Sequence, residues 1–91
     1  MEKREILEIK VAEYKKKSFE ELEALVDKVE CLTEEFDGKS YNFEVHVIRG
    51  EAGRVRVMMD CARNNIFTGW FGVARYFAMS PDGQTHEDEA W

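Results

Sequence analysis

Proline and glycine are scarce in the first part of this 91-residue chain. The only proline is Pro81, and the first of six glycines is Gly38. Because both residue types interrupt regular structure, their scarcity argues against a proline-rich linker. It predicts an uninterrupted helical front, followed by a sheet whose turns use glycine from residue 38 onward.

Long apolar runs are also missing. No stretch of about 18 apolar residues occurs, which excludes a transmembrane helix. The charged start, Met1–Glu5, contains no apolar core of the kind that a signal peptide needs. We therefore expect a small soluble protein in the cytoplasm with no membrane partner. The length predicts a single domain over residues 1–83 and an acidic tail over residues 84–91.

The chain has only two cysteines, Cys31 and Cys61, and they form no CxxC pair. In a cytoplasmic protein we expect both to be reduced and buried. A zinc site needs about four ligands at characteristic spacing, which these cysteines, His46 and His86 do not provide. The acidic tail lacks the spacing of a calcium loop. The sequence therefore predicts no metal site.

Motifs for catalysis and for cofactor binding are absent as well. The chain contains no phosphate-binding loop, no GxSxG, no HExxH and no dinucleotide fingerprint. A domain of this size has limited room for both a core and an enclosed pocket. We therefore predict no catalytic residue and no cofactor.

A capping box marks the start of one helix. Ser18 can accept a hydrogen bond from the Glu21 amide, while the Glu21 carboxylate reaches back to the Ser18 amide. The apolar residues that follow fall on one helical stripe. This pattern predicts a helix over residues 19–28.

The segment before the capping box fits two structures. Leu7, Val11 and Tyr14 have helical spacing, whereas Leu7, Ile9 and Val11 alternate with polar neighbours as in a strand. The lack of glycine and the strong helix formers in this segment favour a helix over residues 3–16. In that helix Ile6 and Ile9 lie off the main apolar stripe, which suggests contact with two neighbours or with a second chain.

The remainder of the chain predicts strands joined by short turns. The Asp37–Gly38 pair is typical of a type I′ hairpin, with a strand on each side. Alternating or apolar runs predict further strands, and turn residues separate them. Those strands cover residues 41–49, 55–61 and 70–79, with turns at 50–53 and 80–83. The predicted fold is α+β, with two N-terminal helices packed on a four-stranded antiparallel meander.

The polar positions of two strands are expected to share one sheet face. Glu44 and His46 lie on the first strand, and Arg54, Arg56 and Asp60 follow the turn. A carboxylate can orient an imidazole and raise its basicity. One alternative function is therefore a small-molecule enzyme or ligand-binding domain that uses Glu44, His46 and Asp60. A solvated face with a cross-strand ion pair, such as Glu44–Arg56, is the more common outcome.

Arginine and aromatic residues concentrate in the predicted sheet. Five of the six arginines and eight of the eleven aromatic residues follow residue 40, and these residue types are enriched at protein interfaces. The sequence therefore predicts a non-enzymatic domain that binds a protein partner, self-association included. We also hypothesise that the terminal tryptophan docks onto the sheet or onto a partner. The predicted docking residues are Arg54, Arg56, Met58, Tyr76 and Trp91.

Nucleic-acid binding is a second alternative. Arg54 and Arg56 could contact phosphates, and Tyr76 could stack on a base. The net charge of -6 argues against this function, as do Glu44 and Asp60 on the same strands.

Overall fold

The computed structural model describes residues 2–63 and 73–87. Two helices precede five strands in these residues, and each strand pairs antiparallel with its neighbour in the chain. The α+β class is confirmed, but the predicted count of four strands is wrong. Neither helix in the described ranges is long and apolar enough to cross a membrane. The elements are α1 (Lys3–Lys15), α2 (Phe19–Glu23), β1 (Val29–Phe36), β2 (Lys39–Arg49), β3 (Val55–Arg63), β4 (Val73–Met79) and β5 (Thr85–Glu87).

The first segment is helical, and α1 ends one residue before the predicted boundary at residue 16. Leu7, Val11 and Tyr14 are buried, while Ile9 is 40% exposed. A strand would have placed Ile9 on the same face as Leu7 and Val11. The helix instead turns Ile9 outward and brings Ile6 into the core, where it is completely buried.

The second helix begins as predicted and ends earlier. The capping box between Ser18 and Glu21 is present, but α2 ends at Glu23 and not near residue 28. The chain leaves the helix because Asp27 adopts a positive φ of 64° and donates its amide hydrogen to the Val47 carbonyl, at 2.9 Å. This bond to the sheet replaces continued helical hydrogen bonding, and it turns the chain toward β1.

The hairpin between β1 and β2 follows the predicted turn chemistry. Asp37 and Gly38 both have positive φ values, 53° and 74°, as a type I′ turn requires. Phe36 therefore lies opposite Lys39, which sets the register of the whole β1–β2 pair.

A short strand, β5, follows the predicted turn at residues 80–83. Its three residues pair with the end of β4, and His86 forms a 2.9 Å side-chain hydrogen bond with Ser80 across the turn. The sequence assigned this segment to an acidic tail because its polar composition gives no strand signal. For the strand predicted over residues 70–79, residues 70–72 lie outside the described ranges.

One face of the sheet packs against both helices and forms the core. Phe43, Val45, Val57, Met59 and Phe77 are at most 1% exposed on this face. They share one apolar cluster with Leu7 and Val11 of α1 and with Leu22 of α2. The cluster covers the inner sheet face, and neither described helix packs on the other face of the sheet.

Ion pairs hold α1 across the inner face from both sides. Lys10 pairs with Glu34 on β1 and, at 2.9 Å, with Glu13 on its own helix. At the other side, Arg75 of β4 pairs with Glu8. These ion pairs join α1 to β1 and to β4, on either side of the apolar cluster.

The two cysteines have different environments. Cys61 is buried, and desolvation raises the pKa of its thiol to about 11, so the thiol is protonated and unreactive at neutral pH. Cys31 is exposed, and the expectation that it would be buried is wrong. Its position on β1 places it opposite Glu44, on the face that the helices do not cover.

The helix cap provides a test of the fold. Replacing Ser18 with Ala removes the side-chain oxygen that accepts from the Glu21 amide, at 3.1 Å. We expect S18A to lose about 1 kcal/mol of unfolding free energy in urea titrations. The S18T variant keeps a capping hydroxyl and should lose less. Equal stability of S18A and the wild type would contradict the role of the cap.

Candidate functional site on the open face of the sheet

The face of the sheet that the helices leave uncovered is called the open face below. Strand register arranges its side chains in rows that cross the strands, and three of these rows surround the candidate site. The Arg56 row contains Ile48, Arg56, Ala78 and His86. The Met58 row contains Val29, His46, Met58 and Tyr76. The Asp60 row contains Cys31, Glu44, Asp60 and Ala74.

The Met58 row is the apolar centre of the open face. Val29 is 53% exposed, and Met58 and Tyr76 are partly buried. Methionine and tyrosine offer large contact areas at protein interfaces. The row therefore presents amphipathic and apolar side chains on four adjacent strands, with His46 among them.

The Arg56 row depends on a close approach between a side chain and the backbone. A Cβ atom built at Gly50 would lie only 2.8 Å from Cγ of Arg56. The aliphatic part of the Arg56 side chain packs against the backbone of residue 50, and only glycine leaves room for this contact. The Gly50 amide also donates to the Arg54 carbonyl at 2.8 Å, which closes the loop between β2 and β3.

The Asp60 row brings two carboxylates together. Glu44 lies directly opposite Asp60, and His46 is two residues from Glu44 on the same face. One potential ligand atom from each of these three residues lies within 4.8 Å of the others. Burial raises the pKa of Asp60, and the charge of Glu44 raises it further, while His46 acts in the opposite direction.

The structure places the predicted docking residues in different parts of the molecule. Arg56, Met58 and Tyr76 share the open face, and Met58 lies directly opposite Tyr76. Arg54 lies in the extended segment between the loop and β3. Trp91 lies outside the described residues, so its docking stays a hypothesis.

The predicted Glu44–Arg56 cross-strand pair is not formed by the register. Arg56 lies opposite Ile48, whereas Glu44 lies opposite Asp60. Arg56 and Asp60 are four positions apart on β3, which is about 13 Å along an extended strand. The open face thus carries its positive and negative charges in different rows.

The sequence prediction missed two neighbours of the cluster. Cys31 lies opposite Glu44, and Val29 lies opposite His46. The Asp37–Gly38 turn contained this information, because a two-residue turn fixes which residues of β1 and β2 are partners. Counting outward from that turn would have placed Cys31 beside Glu44.

A pocket of about 420 Å³ borders the Asp60 row at Ala74. Its lining comes from Arg4, Leu7, Ala74 and Arg75, between α1 and β4. His46 is not part of this lining and lies instead on the open face.

The chain matches no protein-family model, no curated protein and no solved structure.

The like charges of the Asp60 row provide a test of the site. The folded state raises the pKa of Asp60, so the charged form of this carboxyl group destabilises the fold. This loss of unfolding free energy is absent at low pH and grows as the pH rises above the pKa of Asp60 in the unfolded state. We expect D60N, measured with EDTA present, to gain about 0.2–1 kcal/mol of unfolding free energy at pH 7. The gain should shrink toward pH 4.

The matched control is E35Q, because Glu35 is exposed on β1 and lies opposite Ser40. This variant should change stability less than D60N at pH 7. A D60N protein that is less stable than the wild type at that pH would contradict the destabilisation of the Asp60 carboxylate by burial and by Glu44.

Proposed function

We propose that this protein is a small, non-enzymatic interaction domain that forms a homodimer through the open face of its sheet. The observation that carries the proposal is the Met58 row, which lies on four strands and is covered by neither helix. Burying such a row against a second protein surface removes apolar area from water. This burial stabilises the complex by roughly 25 cal/mol for each Å² of apolar surface.

A second copy of the chain is the occupant that the charges favour. The open face is positive at Arg56 and negative at Glu44 and Asp60, on opposite sides of the Met58 row. A surface with this arrangement can be complementary to itself in an isologous dimer, where one patch contacts the same patch on the partner.

The orientation of the dimer follows from the rows. A two-fold axis along the Met58 row places Arg56 of each chain against Asp60 of the other, and Met58 against its own copy. A two-fold axis parallel to the strands, between β2 and β3, would instead place Glu44 against Asp60 of the other chain. Like charges in contact across an interface are costly, so we assign the first arrangement.

Two alternatives have weaker support. Arg56 and Tyr76 share the open face, as a nucleic-acid-binding sheet would require, but Glu44 and Asp60 lie on the same face and would repel phosphates. An enzyme that uses His46 would need a substrate pocket, and the described pocket does not include that residue.

Substitution of Met58 tests the dimer. In M58E, the two glutamates would face each other across the two-fold axis, so we expect dimerisation to weaken by at least about tenfold. Sedimentation equilibrium at micromolar concentration, with EDTA present, should give twice the 10.7 kDa chain mass for the wild type. A12E is the matched control, because Ala12 is exposed on α1 and gains the same charge.

Charge reversal tests the orientation in the same assay. R56D and D60R should each weaken the dimer, and the double variant R56D/D60R should recover most of the loss because each chain again opposes unlike charges. A wild type that is monomeric at micromolar concentration, or an M58E protein that dimerises like A12E, would contradict the proposal.

A further inference from the structure

We propose that Glu44, His46 and Asp60 form a binding site for a divalent transition-metal ion of the Zn²⁺ class. All three residues come from one chain, on the adjacent strands β2 and β3. The site therefore does not depend on the homodimer, and it would exist in a monomer.

The geometry is close to that of a metal site. The candidate ligand atoms lie within 4.8 Å of one another. Two ligands of a tetrahedral Zn²⁺ ion, each about 2.1 Å from the metal, are about 3.4 Å apart. Side-chain rotations that move the ligand atoms by about 1 Å would bring them to that separation. The two paired strands hold the backbones of the three residues in place.

The donor set selects the kind of ion. One imidazole nitrogen and two carboxylate oxygens suit Zn²⁺ and similar transition metals, whereas Mg²⁺ and Ca²⁺ prefer sites made of oxygen alone. Three protein ligands leave a fourth position open, as in zinc sites that hold water or an external ligand. Glu44 is exposed, so an ion can enter from solvent.

The charge of the cluster also favours a cation. Glu44 and Asp60 lie directly opposite each other. Within residues 2–63 and 73–87, the structure gives neither carboxylate an ion pair with lysine or arginine. A divalent cation between these groups would convert a repulsive pair into two favourable contacts. This second observation is independent of the distances between the ligand atoms.

Zinc titration of tag-free protein tests the site. A chromophoric chelator competes for Zn²⁺, and the protein carries C31S so that the exposed Cys31 thiol does not bind the ion itself. We expect one equivalent of Zn²⁺ per chain. H46A and D60N should each bind at least about tenfold more weakly, because each removes one of three ligands.

Two matched controls separate this site from nonspecific binding. H86A removes the other histidine, which lies on β5 in the Arg56 row, and E35Q removes an exposed carboxylate on β1. Both should bind Zn²⁺ like the C31S parent, and circular dichroism checks that each variant is folded. No binding by the C31S parent, or equal losses in H46A and H86A, would overturn the proposal.

Discussion

The register between β2 and β3 is the constraint on which the rest of the molecule depends. Because side chains alternate along a strand, one residue of slip would exchange the two faces of the sheet. The observed register, with Glu44 opposite Asp60 and Val45 opposite Met59, sends the fully buried apolar pairs of these two strands to the helices. The same pairing brings both carboxylates and His46 to the open face. The core and the candidate site therefore have one cause.

The loop between these strands shows how the register is reached. The sequence predicted a turn over residues 50–53, but Arg49 pairs with Val55, so five residues connect the strands. A four-residue connection would have paired Arg49 with Arg54 and set apolar positions against polar ones. The extra residue is accommodated by positive φ values at Ala52 and Gly53, of 55° and 75°. Burial of the apolar face thus decides the loop length.

Much of the fold could be predicted because its signals are local. The capping box at Ser18 and the Asp37–Gly38 turn each act within a few residues, and both are present. The end of α2 could not be predicted locally, because the Asp27 amide bonds to Val47, which is 20 residues away. The exposure of Cys31 likewise depends on its partner across the sheet.

The candidate site could be predicted only in part. Alternation along each strand correctly placed Glu44, His46 and Asp60 on the polar side of its strand, but their grouping also needed the register that sets Glu44 opposite Asp60. The separation of Arg56 from Glu44 likewise required the exact register, in which Arg56 lies opposite Ile48. That separation matters because it gives the open face two charged ends on either side of the Met58 row.

The homodimer and the metal site would use the same carboxylates. A cation bound between Glu44 and Asp60 would cancel the negative charge that the partner's Arg56 contacts in the proposed dimer. We therefore expect the two ligands of this face, a second chain and a cation, to oppose each other. The competition arises because Asp60 would serve both as a ligand of the cation and as the partner of Arg56 from the second chain.

The arrangement of the two chains is tested most directly by isotope-filtered nuclear Overhauser spectra. The sample is an equal mixture of labelled and unlabelled protein, with EDTA present. We expect intermolecular contacts between the Met58 methyl groups and between Arg56 and Asp60. Intermolecular contacts from exposed Ile9 on α1 without any from Met58 would contradict the proposed interface, as would the absence of intermolecular contacts in a sample that sediments as a dimer.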